Sequence, residues 1–180
     1  MFRFNEEKFN SLLQLICDRC KEIDRLKAVK LFYYIDKQSL LNTGRPVLGD
    51  RYYKMTLGPV PSESYDMIKK FPFGDNGECK FFYTPTSNST NPFIEAKHSP
   101  NLDVFSKKEL ESIEKVLKEH GHRSGKELSD LSHNDYAWTH SKSHSPIDYR
   151  LSFKDNPEES KHAFEAMLIE QEDEEFLDNF

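Results

Sequence analysis

The sequence predicts a mainly α, compact domain of about five helices with a small β-hairpin element, followed by an acidic C-terminal tail. Three features lead to this prediction. Apolar residues recur at helical spacing, capping residues stand directly before several of these stretches, and proline and glycine interrupt the helical pattern near the middle of the chain. We therefore divide the chain into a domain over residues 1–153 and a tail over residues 154–180.

The first two predicted helices supply most of the core. Asn5 is a suitable N-cap, and the apolar face that follows consists of Phe9, Leu12, Leu13, Ile16, Cys17 and Cys20. Asp24 begins the second helix, which is apolar on almost all sides from Leu26 to Leu41 and ends at Gly44. A helix that is apolar on most sides usually lies at the centre of a fold.

The segment after the second helix mixes strand, turn and helix. Residues 51–56 predict a short strand, and the prolines that follow exclude the interior of a helix. Ser62 is predicted to cap a third helix with the apolar residues Tyr65, Met67, Ile68 and Phe71. We expect an irregular excursion over residues 72–93, in which residues 81–83 pair with residues 93–96 as a small hairpin.

Two capping boxes, at residues 106–109 and 124–127, begin a fourth and a fifth helix. A further helical turn is expected around Ala137 and Trp138, and residues 147–153 are predicted to be extended.

Charge is distributed unevenly along the chain. Residues 155–180 carry ten acidic residues and one basic residue, a net charge of −9, which leaves +3 on residues 1–154 because the whole chain is −6. The tail contains one amphipathic fragment, formed by Phe164, Met167, Leu168 and Gln171. A helix with so many acidic residues is marginal alone, so we expect the tail either to stay disordered or to fold when a partner binds.

Composition points to a soluble, cytoplasmic protein without membrane contact. The N-terminal residues do not follow the layout of a signal peptide, and no stretch approaches the ~18 apolar residues that a membrane helix needs. The three cysteines, Cys17, Cys20 and Cys79, are too few for a disulfide framework.

Metal chemistry is an alternative that the residue types raise. Cys17 and Cys20 have metal-ligand spacing, but both fall on the apolar face of the first helix, which favours core packing. Seven histidines include His120 with His122 and His140 with His144, yet no zinc-protease or comparable motif accompanies them. We therefore expect no metal and no cofactor.

Motifs of standard enzymes are also missing from the sequence. It contains no glycine-rich phosphate loop, no nucleophile elbow and no dinucleotide fingerprint. The prediction is a protein that binds another protein and does not catalyse a reaction.

An ordered set of blocks carries a family resemblance. Residues 27–36 (KAVKLFYYID), 44–47 (GRPV), 49–52 (GDRY) and 57–62 (LGPVPS) strongly resemble the Panacea domain, which includes the SocA-like antitoxins and the phage-associated proteins once called GepA. Residues 105–113 and 131–138 are similar to later blocks of the same family, in the same order. The resemblance spans about residues 5–153.

This resemblance implies a bacterial or prophage antitoxin that neutralises a toxin encoded by an adjacent gene through direct contact. Family members pair with unrelated toxins, so the resemblance does not identify the partner. One SocA-like branch delivers its toxin to a cytoplasmic protease, and that variant stays open for this chain.

Three groups of residues are candidates for binding the partner. They are Arg51, Tyr52, Tyr53, Pro59, Val60 and Pro61, then His133 and Trp138, and in the tail Phe164, Met167 and Leu168. The first group is enriched in residue types that are common at interfaces. An equally good interpretation is structural: the glycine and prolines fix the turn, and Tyr52 packs in the core. For the second group, anchoring of Trp138 on the core is the favoured interpretation. The tail is either a solvated end or a cover for a basic toxin surface.

Two other function classes remain as alternatives. A nucleic-acid-binding regulator of its own operon would fit the +3 body, but the basic residues are scattered and no basic recognition helix is visible. A metal-dependent enzyme is suggested only by the histidines.

Overall fold

A computed structural model of the protein describes residues 2–69, 79–82 and 93–178, and for 79–82 and 172–178 the description covers the backbone. The predicted fold class is confirmed: helices dominate, and the strands form two small antiparallel sheets. The helices are α1 (Glu6–Arg19), α2 (Arg25–Thr43), α3 (Ser62–Lys69), α4 (Lys107–His120), α5 (Gly125–Ser132), α6 (Tyr136–Thr139) and α7 (Lys161–Asp178). The strands are β1 (Tyr52–Met55), β2 (Gly58–Pro61), β3 (Cys79–Phe82) and β4 (Phe93–Ala96), and 3₁₀ turns lie at Leu102–Val104 and Tyr149–Lys154.

Helix α2 is the centre of the fold, as its apolar sequence predicts. It packs against α4, α5, α7 and the first sheet. Asp24 caps its first turn by accepting a hydrogen bond from the Lys27 backbone N–H at 2.7 Å. Gly44 ends it with φ +83, a conformation that favours glycine, and a Cβ at this position would lie 2.6 Å from the Ala163 carbonyl oxygen of α7. The end of α2 is therefore also a contact with α7.

The main core joins α1, α2, α4 and α5. Its fully buried side chains include Leu12, Ile16, Ala28, Leu31, Phe32, Ile35, Ile113 and Leu128. Asn5 caps α1, and both predicted capping boxes, Ser106 with Glu109 and Ser124 with Glu127, are confirmed at the starts of α4 and α5.

The hairpin predicted around residue 81 is confirmed for the described residues, because Phe81 pairs with Ile94 and Phe82 with Phe93. Tyr83 and Phe71, as well as the excursion over residues 72–78 and 83–92, lie outside the described residues.

Two local predictions were wrong. Ser62 is the first residue of α3 and not its cap, because the Asp50 side chain accepts hydrogen bonds from the Glu63 and Ser64 backbone N–H groups instead. Residues 149–154 form a 3₁₀ turn that the Asp148 side chain caps, where an extended segment was predicted. In both cases an aspartate supplies the hydrogen bonds at the start of the helix: Asp50 from twelve residues upstream, and Asp148 from directly before the turn.

The first part of α7, which follows residue 153, packs against the domain formed by the preceding residues. Ala163 and Met167 of α7 are buried with Leu40 of α2 and Phe153. Arg45 pairs with Glu170 at 2.5 Å. The division into a domain and a separate tail stays a prediction. Among the described residues, no helix combines the length and apolar character needed to cross a membrane.

Candidate partner-binding surface

Strands β1 and β2 form a tight hairpin on the flank of α2, and three buried polar side chains hold it there. In its register, Tyr52 lies opposite Pro61 and Met55 lies opposite Gly58. The other edge of β1 is also paired: the Lys54 N–H donates to the Ser145 carbonyl at 3.0 Å, and the Ile147 N–H donates to the Tyr52 carbonyl at 2.8 Å. Because both edges of β1 are bonded, the hairpin has a fixed position.

Lys30 is the first of the buried polar residues. It lies on α2 with a side chain that is 0% exposed, and its Nζ donates a hydrogen bond to the Pro59 carbonyl at 2.6 Å. Burial disfavours the ammonium ion and lowers the pKa of Lys30 to about 7. The Nζ group lies beneath Gly58, whose φ of +91 and contact with Ser132 leave no room for a side chain.

Asp36 is the second. It is fully buried, and its carboxylate accepts hydrogen bonds from the Leu48 N–H at 2.7 Å and the Tyr52 hydroxyl at 3.0 Å. Desolvation outweighs these bonds and raises the pKa of Asp36 to about 7. Asp36 thereby ties α2 to the turn before β1 and to β1 itself.

Asp50 is the third buried polar residue, and its carboxylate accepts more hydrogen bonds than that of Asp36. Its carboxylate, 1% exposed, accepts hydrogen bonds from the backbone N–H groups of Arg51, Glu63 and Ser64 and from the Ser64 hydroxyl, at 2.6–3.0 Å. Its own carbonyl accepts a hydrogen bond from the Tyr149 hydroxyl at 2.6 Å. One buried carboxylate therefore fixes both ends of the hairpin and the start of α3.

These bonds decide how the first group of predicted residues is placed. Tyr52, Pro59 and Pro61 are buried, so their side chains shape the hairpin from inside. Arg51 is exposed, and Tyr53 and Val60 are half-buried, so these three can reach a partner. Their partner-binding role stays a prediction.

An apolar groove lies between the hairpin, the start of α2 and α3, and we call it the hairpin groove. It has a volume of about 440 Å³ and is lined by Arg25, Leu26, Val29, Met55, Thr56, Leu57, Val60 and Tyr65. Leu57 is 58% exposed and Met55 is 36% exposed, although both are large apolar side chains. Of these residues, only Val60 was among the predicted partner-binding residues. The signal that could have added to it is Leu57, an apolar residue at the tip of a two-strand turn.

His133 and Trp138 lie together beside the hairpin. Their ring centroids are 4.5 Å apart, and the Lys54 ammonium lies 4.4 Å from the centroid of the Trp138 ring. Trp138 also packs against the small cluster formed by Tyr33, Tyr52, Ala137 and Ile147, an arrangement in keeping with the anchoring interpretation. The Trp138 Nε1 and His133 Nε2 atoms are buried without a hydrogen-bond partner.

The three tail residues lie on α7, away from the hairpin groove. Met167 is 0% exposed and Phe164 packs on Phe153 with ring centroids 5.0 Å apart, whereas Leu168 is 37% exposed. Lys37 of α2 contacts both Asp135 and Asp155, which links the start of α6 to the chain that leads into α7. The structure therefore brings the first two predicted groups together and places the third elsewhere.

Cys17, Cys20, His120 and His140 each contact core residues, the backbone or a neighbouring aromatic ring. Cys20 is buried in the core, and the Cys17 thiol contacts the Ile94 carbonyl at 3.6 Å. His120 packs on Tyr34 and His140 stacks on Tyr136. In residues 2–69 and 93–171, no three potential metal-ligating side chains of histidine, cysteine, aspartate or glutamate converge.

A larger cavity of about 700 Å³ lies at the start of α2, where residues of α1, α4 and α5 also line it. Basic side chains of Arg19, Lys21, Lys27, Lys118 and Arg123 line it, but Glu22, Asp24 and Glu127 line it as well. Glu127 is already bonded to the Ser124 backbone N–H and hydroxyl at 2.7 and 2.8 Å. The mixed charge gives this cavity no clear preference for an anionic ligand.

Comparison with known proteins gives one finding. The family model described as "Antitoxin SocA-like, Panacea domain" matches residues 29–139, a region that contains the hairpin, its three buried polar residues and most of the hairpin groove. No curated protein and no solved structure matches the chain. Because the match covers more than half of the 180 residues, the chain belongs to the antitoxin SocA-like Panacea domain family.

Proposed function

We propose that this protein is the antitoxin of a toxin–antitoxin pair, and that it neutralises a toxin encoded by an adjacent gene through direct protein–protein contact. The observation that carries the proposal is the match to the antitoxin family across residues 29–139. The neutralising mechanism is occlusion: the body docks on the toxin and covers the surface that the toxin needs for its activity.

The surface around the hairpin supports binding by contact. It presents exposed Met55 and Leu57 on a hairpin that is bonded along both edges of β1. Large apolar side chains on a rigid support are typical of protein-binding sites. The acidic residues of 154–180 add a second element, because many toxins that act on nucleic acid carry a basic surface that an acidic segment can cover.

Delivery of the toxin to a cytoplasmic protease is a variant of the same proposal. It also begins with toxin binding, and it predicts that the toxin becomes short-lived in cells that contain the antitoxin. Occlusion predicts a stable complex with a long-lived toxin, so the half-life of the toxin distinguishes the two mechanisms.

The test is co-expression of the protein with each neighbouring open reading frame, with growth and co-purification scored together. A neighbour that stops growth alone, is tolerated with the antitoxin and elutes with it would support the proposal. If no neighbour is toxic, or if growth is rescued without complex formation or degradation, direct neutralisation is refuted. A shift of the operon's own promoter DNA in a gel at low salt would favour the regulator instead.

A further inference from the structure

We infer that the hairpin groove is the docking site for a segment of the toxin that presents apolar side chains next to a carboxylate. This inference rests on the proposed function and adds the location and the chemistry of the contact. It also assigns Arg25, Leu26, Met55 and Leu57 to the interface.

The apolar part follows from the lining of the groove. Leu26 and Val29 line it from α2, Met55, Leu57 and Val60 line it from the hairpin, and Tyr65 of α3 contributes an aromatic ring. A volume of about 440 Å³ accommodates a few side chains of a partner and falls in the range of roughly 300–1,000 Å³ that is usual for ligand clefts. A leucine that is 58% exposed at the rim gains burial when a partner covers it.

The groove is preformed, which favours docking without rearrangement. The Leu57 carbonyl accepts a hydrogen bond from the Ser129 hydroxyl of α5 at 2.7 Å, so even the tip of the hairpin is fixed to a helix. The Pro59 carbonyl is held by Lys30 from below. A fixed wall loses little conformational entropy on binding, so more of the contact free energy contributes to affinity.

The carboxylate follows from Arg25. Of the groove-lining residues that the structure describes, it is the only charged one, and its Nε atom is buried without a hydrogen-bond partner. Among the described residues no carboxylate lies within ion-pair distance of Arg25; the aspartate beside it, Asp24, caps α2 instead. A guanidinium group with a desolvated N–H binds a carboxylate in a forked geometry, because two parallel N–H donors match its two oxygens. The partner therefore carries an aspartate, a glutamate or a terminal carboxylate at the edge of its apolar side chains.

The experiment compares variants of the full chain in binding the toxin that co-expression identifies. Leu57→Asp and Arg25→Glu alter the groove, and Leu102→Asp is the matched control, since Leu102 is an exposed leucine (41%) on a different surface. We expect each groove variant to weaken toxin binding by at least about 30-fold in titration calorimetry, the size of an interface hot spot, and the control to change it by less than about 3-fold. Arg25→Lys keeps the positive charge but lacks the two parallel N–H donors of the guanidinium group, so it should lose part of the affinity for the toxin.

Thermal unfolding of each variant separates loss of binding from loss of folding. If Leu57→Asp unfolds early, the milder Met55→Ser variant takes its place. A toxin that binds the wild type and both groove variants equally would overturn the inference and leave the proposed function standing. A protein that is dimeric alone, and becomes monomeric with Leu57→Asp, would assign the groove to a second copy and also overturn it. Absence of any toxic neighbour refutes the proposed function and the inference with it.

Discussion

Replacement of Lys30 by methionine should change how the stability of the protein depends on pH. Lys30 is fully buried, and its pKa falls from 10.5 to about 7 on folding. Between these two values the unfolded chain binds a proton that the folded protein does not bind, so the free energy of unfolding rises with pH across this window. The Lys30→Met variant lacks this contribution.

The magnitude follows from the shift of about 3.5 pKa units, at about 1.4 kcal/mol for each unit. Near pH 7 burial of Lys30 costs roughly 4 kcal/mol, and at pH 9 about 2 kcal/mol of that cost remains. The wild type should therefore gain about 2 kcal/mol of stability between pH 7 and pH 9 from this residue. Lys30→Met removes the cost but leaves the Pro59 carbonyl without its donor, a loss of about 1–3 kcal/mol.

Urea unfolding at pH 7, 8 and 9, followed by the fluorescence of the single Trp138, measures this effect. The expected result is a variant at least as stable as the wild type at pH 7, with an advantage that shrinks as the pH rises. Lys118→Met, at an exposed lysine on α4, controls for a change in net charge. Equal pH slopes for wild type and Lys30→Met would refute the reasoning, because they would mean that Lys30 keeps its ordinary pKa in the folded protein.

Four further predictions concern other parts of the structure. Since folding raises the pKa of Asp36 from 3.8 to about 7, its contribution to stability is present below pH 4 and is lost as the pH rises through 7; Asp36→Asn should remove this part of the pH profile in the same unfolding assay. Asp50→Asn should lower stability by about 2–3 kcal/mol, because the amide NH₂ faces N–H donors that now meet a carboxylate oxygen; stability equal to that of the wild type would contradict the role given to Asp50. Met167→Ala should cost about 2–4 kcal/mol in the same measurement and Leu168→Ala much less, because only the first side chain is fully buried; equal effects would mean that α7 does not pack as described. Deletion of residues 155–180 should weaken toxin binding in calorimetry without abolishing it, once thermal unfolding shows that the truncated chain still folds without the buried Met167; an unchanged affinity would remove the tail from the interface.

Much of the fold was predictable because its signals are local. Asp24 before an apolar stretch and Gly44 after it mark the ends of α2, and the two capping boxes mark α4 and α5. Each of these signals depends on atoms three or four residues apart. All the residues that form such a signal therefore lie close together in the sequence, and the signal can be recognised without the structure.

The wrong prediction for α3 has the opposite character. Asp50 caps a helix that begins twelve residues later, and nothing in the sequence next to that helix indicates so distant a cap. The cap at Asp148 is local, and there residues 147–153 suggested an extended segment where a 3₁₀ turn forms. The acidic composition of the tail likewise concealed that Ala163 and Met167 face the body, because two or three apolar residues suffice to bury one side of a helix.

Only part of the candidate surface was predicted, because its exposed residues become neighbours only in the folded protein. The blocks around residues 49–62 pointed to the hairpin, but most of their recognisable residues, such as Tyr52 and Pro61, lie inside it. The exposed residues Met55 and Leu57 were not predicted to bind a partner, because single exposed apolar residues are common and indicate no site by themselves. Met55 and Leu57 form a candidate binding site only because the fold places them in the same groove as Arg25 and Tyr65.

The separation between buried and exposed positions in the hairpin has a consequence for how this fold can evolve. Lys30, Asp36 and Asp50 anchor the hairpin through backbone carbonyls, backbone N–H groups and the Tyr52 and Ser64 hydroxyls, and these hydrogen bonds do not involve the side chains of Met55, Leu57 or Val60. Substitutions at those three rim positions therefore change the shape and polarity of the groove at little cost to folding. A lineage can retune this surface toward a different protein one substitution at a time, while selection on stability acts on a separate set of residues.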